Sequence, residues 1–179
     1  MAELSRARIS ALLNCGLDGR KTTTQQGKAL EDLVCYMFGR VPGITVTHRN
    51  PQNTFRTEEI DVALWNEQRT GAFSFLPNVV LVEAKNWAHP VSSGEVAWFD
   101  RKLQDRGLGL GVLVALNGVT GNSGERTAAH QIVAGSLRDQ RRILLVTGED
   151  IQGLQNTGML VGLLKSRLCE LAVTGTLFP

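Results

Sequence analysis

Cysteine is scarce in this chain of 179 residues. Cys15, Cys35 and Cys169 are odd in number, lie far apart, and form neither a CxxC pair nor a zinc-ligand pattern with a histidine. A disulfide scaffold is thereby set aside, and a reduced, intracellular protein is expected. Long apolar runs are missing too. Nowhere do the roughly 18 consecutive apolar residues of a membrane span occur, and the opening MAELSRARISALLNCG lacks the uninterrupted apolar core of a signal peptide. A cytoplasmic location without membrane attachment is the expectation. Neither sign of charge dominates: 19 basic against 17 acidic residues leave +2, which barely favours an acidic partner, so any polyanion must be bound by local clusters. Repeats and low-complexity tracts are absent.

What is present is an ordinary globular composition, 42% hydrophobic and 20% charged, at a length that suits one domain with a sizeable core. Residues 1–26 read as an N-terminal arm or short helix, with Leu4, Ile9, Leu12 and Leu13 in a weak helical pattern before the polar GLDGRKTTTQQG. Residues 27–179 read as a single domain ending in a helical extension. Leu30, Leu33, Val34, Met37 and Phe38 follow the spacing of an amphipathic helix that stops near Gly39. Strands are expected over 44–47, 59–65 and 79–85. Ser92 and Glu95, spaced as a capping box, then open a helix that buries Val96, Phe99 and Leu103. GLGLGVLVALNG and RRILLVTG supply two more strands around a helix carrying Ile132, Val133 and Leu137, and a last helix covers about 159–172. The order α-β-β-β-α-β-α-β-α implies an α/β fold, a mixed sheet with helices on both faces.

The stretch NVVLVEAKNW carries the chemistry. Side chains two apart on a strand share a face, so Glu83 and Lys85 project together while Val80, Val82 and Ala84 take the other side. EEIDVALW places Asp61 within the preceding strand, where an aspartate is costly unless paired or bound to a cation. If the two strands pair, Asp61 lies beside Glu83, and two carboxylates and one ammonium share a small surface. Lys85 alone can neutralise such a group as a structural ion-pair cluster. Alternatively a divalent ion fills it, and oxygen-only donors suit Mg²⁺ or Mn²⁺ rather than zinc. On spacing alone the two readings stand level.

Glu31 in the first strong helix, Asp61, and the E-A-K of Glu83 to Lys85 resemble the PD-(D/E)xK nuclease superfamily. Within it, GKALEDLVCYMF, EEIDVAL, VEAKNW and GVLVALNGVTG look most like the Mrr-like branch of restriction endonucleases, over about residues 22–154. The resemblance implies a restriction-endonuclease-like fold with an α-β-β-β-α-β core. It implies Asp61 and Glu83 as metal ligands, the Ala84 carbonyl as a further one, Glu31 as the helix carboxylate completing the site, and Lys85 as the residue that orients water and steadies the phosphate. The implied activity is Mg²⁺-dependent hydrolysis of DNA phosphodiester bonds in restriction or defence. A silent nucleic-acid-binding subunit, a junction resolvase or an RNase of the same fold are the alternatives. This chain departs from the pattern in having no proline before Asp61 and no room for a separate DNA-reading domain.

DNA binding requires basic groups near that site. HRNPQNTFRT offers Arg49 and Arg56 without an acid, Lys102 and Arg106 form a second candidate patch, and Arg126 lies near a helix start. Trp87, His89, His130 and the glycine-rich GNSG are read as structural or solvent-facing. DNA is the expected partner, a homodimer is an open option, and no organic cofactor is indicated.

Overall fold

Three apolar segments, VVLV, LGVLVA and ILLV, lie side by side in one sheet, as near-continuous apolar runs require when both faces are covered. The computed structural model describes residues 1–50, 59–86, 88–120 and 123–175, with the backbone alone at 123–127, 129 and 130. Its five strands, β1 (Ile44–Arg49), β2 (Val62–Asn66), β3 (Val79–Lys85), β4 (Leu110–Ala115) and β5 (Arg142–Thr147), neighbour one another in chain order. β1, β2 and β3 pair antiparallel, whereas β3, β4 and β5 pair parallel through the crossover helices α3 (Ser93–Asp105) and α4 (Ser123–Arg138). The expected mixed α/β sheet is what forms.

Pairing fixes which side chains share a face. Val62 with Val82 and Leu64 with Val80 form one side; Ala63 with Leu81 and Trp65 with Val79 form the other. Two glycines show what covers each. A Cβ added at Gly39, just past α2 (Thr23–Phe38), would stand 3.7 Å from Val46, the cross-strand partner of Leu64, so α2 ends on the first face. A Cβ at Gly111, the partner of Leu81, would come within 2.6 Å of Phe99 and 3.0 Å of Leu103, so α3 sits on the second face in direct contact with the β4 backbone. Helices therefore flank both sides.

The N-terminal segment belongs to the same core. α1 (Arg6–Leu17) packs on α2 with Ile9 and Leu13 buried, and Leu4 is buried beside it. The polar GLDGRKTTTQQG shrinks to a short turn because Thr22 and Gln25 form a reciprocal capping box that starts α2 at Thr23. A short α5 (Gly148–Gly153), not expected from the sequence, is capped by Thr147 and Asp150, and α6 (Thr157–Thr174) closes the chain against β5.

Replacing Gly111 with alanine should push α3 off the sheet. Overpacking of this kind typically costs about 1–3 kcal/mol, so denaturant unfolding should show a lower midpoint with an unchanged slope; an unchanged midpoint would mean that α3 gives way freely.

Candidate active site

β2 does not begin at residue 59 as its sequence suggests but at Val62, and the reason lies in Asp61. The last regular pair joins Val62 to Val82, so Asp61 falls at the next register position, opposite Glu83. The following β3 N–H on that side, that of Ala84, has lost its ladder partner, and Asp61 Oδ2 accepts it at 2.6 Å. The carboxylate thus ends the β2 ladder by replacing a backbone acceptor. In an extended strand the N–H and C=O of one residue point to the same neighbour, so the Ala84 carbonyl also faces the gap that Asp61 occupies.

Glu83 is only 3% exposed. A buried carboxylate needs cations, and two lysines supply them. Lys85 Nζ lies 3.0 Å from Glu83 Oε1, while Lys102 Nζ donates to Oε1 at 2.9 Å and Oε2 at 2.8 Å. A third bond from Lys102 Nζ reaches the Glu59 carbonyl at 2.7 Å, so its three protons match three acceptors. Lys102 is therefore no part of a surface DNA-binding patch. Its place on α3 between the core residues Phe99 and Leu103 carries it inward, where the close approach at Gly111 brings it to β3.

Glu95 also differs from expectation. Ser92 Oγ accepts the Glu95 N–H at 3.4 Å, but the Glu95 carboxylate, instead of folding back to close a capping box, meets Lys85 at 3.1 Å. Lys85 is thus shared between two carboxylates. Burial alone would lower its pKa, yet the charge and hydrogen bond of Glu83, together with Glu95, outweigh burial and raise it above the ordinary lysine value. Asp61 moves the other way for a carboxylate. Burial first, and then the negative charge of Glu83, push it up to about 6, against the opposing pull of the Ala84 N–H and both lysines.

Glu31 stands on α2 at the edge of this cluster. Its Oε2 accepts from Asn50 Nδ2 at 3.0 Å, and Arg49 Nη2 is 3.6 Å away. Asn50, in the left-handed region at φ 49°, also donates its N–H to the Asp61 carbonyl at 3.0 Å, so one residue ties the α2 carboxylate to the start of β2. Arg49 binds Asp32 at 2.6 Å while its side chain stays 38% exposed. Among the described residues no three His, Cys, Asp or Glu side chains converge as a ready metal cage. Arg106 is partly buried and donates to the Lys102 carbonyl at 3.0 Å. Arg56 and Trp87, and the side chains of Arg126 and His130, lie outside the described residues. His89 is exposed. Immediately beyond Lys85 a cleft of about 520 Å³ opens, lined by Gly16, Leu17, Thr23, Gln26, Asn86 and His89 among others.

A family model described as restriction endonuclease, Mrr_cat, matches residues 23–154. The chain belongs to this family. No curated protein and no solved structure matches it. Glu31, Asp61, Glu83, Lys85, Glu95 and Lys102 all lie inside the matched span, whereas α1 and α6 lie outside it. Mrr_cat membership makes the fold restriction-endonuclease-like and the chain a member of a nuclease family whose domains generally use divalent metals. No helix among the described residues is long and apolar enough to cross a membrane.

The donor set fits a divalent ion on chemical grounds. Asp61 Oδ1 accepts no hydrogen bond among the described residues, the carboxyl is destabilised as an anion where it stands, and the other candidate ligands, the Glu83 carboxylate and the Ala84 carbonyl, are hard oxygens. The partners that sequence reasoning missed, Lys102 and Glu95, had one readable signal. They are seven apart on one helix, and Lys102 sits on the apolar stripe where a solvated lysine has no place.

Asp61→Asn keeps the shape and can still accept the Ala84 N–H. The folded-state value of about 6 against the ordinary 3.8 means that the native state holds this proton more tightly, so the wild type loses stability as pH rises through that interval. The variant should be more stable than wild type at pH 8, by up to about 3 kcal/mol at 1.36 per unit, and the gap should close toward pH 4. Equal stabilities at both pH values by urea unfolding would contradict the charge crowding.

Proposed function

We propose that the chain hydrolyses phosphodiester bonds of DNA with a Mg²⁺ or Mn²⁺ ion held where β2 and β3 part. The observation that carries this reading is the convergence of Asp61, Glu83, Lys85 and the Ala84 peptide at one strand end. Asp61, Glu83 and the Ala84 carbonyl are the groups that would hold the ion, with Glu31 as an outlying carboxylate behind Asn50. When bound, the ion supplies positive charge to the phosphate and acidifies water.

Lys85 is set up as a cation rather than a base. Paired with Glu83 and Glu95 it stays protonated, and an ammonium has three donors and no acceptor. Its role is to donate to a phosphate oxygen and to orient the attacking water, and Glu95 would keep it paired if Glu83 held the ion. Arg49, exposed on the same side as Glu31, is a candidate contact to the DNA backbone, and Arg106 and Arg126 are further ones. Restriction of foreign DNA in the cytoplasm fits the family description, and a homodimer would bring two such sites to the two strands. The second reading is a silent DNA-binding subunit, favoured by one observation: both Glu83 oxygens are already held by lysine.

Plasmid cleavage with Mg²⁺ and in EDTA, together with Mn²⁺ titration calorimetry, separates the two. Lys85→Met should lower cleavage by ~10²–10³-fold, the usual loss for one charge-stabilising donor, while Mn²⁺ still binds. Glu83→Gln should lose metal affinity and cleavage together. If both variants lose only thermal stability and the wild type cuts nothing, the silent reading stands. Arg49→Ala should weaken DNA binding for all sequences alike and lower the salt slope by about one; an unchanged slope in fluorescence-anisotropy titrations would remove Arg49 from the interface.

A further inference from the structure

The lysine that neutralises Glu83 most completely is not the one in the E-A-K motif. Lys102 contacts both Glu83 oxygens, whereas Lys85 contacts Oε1 and divides its charge with Glu95. Lys85 can leave Glu83 and remain paired. Lys102 makes no second salt bridge among the described residues; besides Glu83 it bonds only the Glu59 carbonyl. Its side chain is 6% exposed against 3% for Glu83, so solvent cannot take over for either partner. A divalent ion entering beside Asp61 must therefore share a carboxylate that Lys102 already holds.

Charge counting gives the consequence. Asp61, Glu83 and Glu95 bring three negative charges to this strand end, and Lys85 and Lys102 bring two positive ones, leaving one negative charge in excess. A divalent ion turns that into one positive charge, which a phosphodiester anion then cancels. Without Lys102 the excess would be two negative charges, and the ion alone would balance them. We infer that Lys102 is a positioning residue that acts through Glu83 as an internal counter-ion: it holds the carboxylate oriented in the metal-free protein and keeps divalent affinity low until DNA contributes its own charge.

This rests on the metal-site reading above, and the test distinguishes the two. Mn²⁺ binding is measured by calorimetry at pH 8 without DNA on the whole wild-type chain, Lys102→Met and Lys102→Gln, with thermal unfolding in EDTA and in Mn²⁺. Both variants should bind Mn²⁺ roughly tenfold tighter or more, about 1.4 kcal/mol, because even a screened ammonium beside a divalent ion is worth that much. Both should also melt lower than wild type in EDTA and recover more on adding Mn²⁺. A merely structural ion pair would lower the EDTA melting temperature without changing Mn²⁺ affinity, and that outcome overturns the inference while leaving the metal site intact. If neither the wild type nor either variant binds Mn²⁺, both the inference and the metal site are overturned. A variant that folds only with Mn²⁺ supports the inference, and variants unfolded with and without Mn²⁺ overturn it.

Discussion

A carboxylate placed where water cannot reach it governs the arrangement of this site. Glu83 lies in β3, covered by β4 on one side and α3 above, and its charge has to be answered from within the protein. Lys102 can answer it only because α3 descends onto the sheet, and α3 can descend only because Gly111 leaves space for Phe99 and Leu103. A missing Cβ in β4 is thus connected, through the position of a helix, to the ion pairing of the neighbouring strand.

The other half of the site depends on where pairing stops. β2 and β3 separate at Val62 and Val82, and the backbone groups freed there give Asp61 its donor and turn the Ala84 carbonyl toward the same space. Asn50 fastens the same point from behind, joining the Asp61 carbonyl to Glu31 on α2. Loss of the ladder leaves main-chain groups without ladder partners at the point where two acids already crowd. Burial first, and then the charge of Glu83, raise the Asp61 value, so this strand end favours the protonated acid.

Much of this was legible in advance. Apolar runs gave β3, β4 and β5, helical spacing gave α2 and α3, and alternation along NVVLVEAKNW placed Glu83 and Lys85 on a common face, as the Mrr_cat match over residues 23–154 accords with. The boundaries that failed did so for side-chain reasons. The alternation in EEIDVALW starts β2 three residues too early because Asp61 mimics a ladder acceptor, and the spacing of Ser92 and Glu95 assigns Glu95 to a helix cap because its partner, Lys85, is ten residues earlier and on another element.

The periodic elements and the shared face of Glu83 and Lys85 can be read from residue order, because they depend on spacing within one segment. Which charges meet is set by how separate segments pack. Lys102 reads locally as one more basic residue on an amphipathic helix, and its burial against Glu83 follows from helix α3 docking on Gly111, a contact between segments that no local pattern records. Ion pairing depends on distance in space and on exclusion of water, and both are properties of the folded packing rather than of the order of residues.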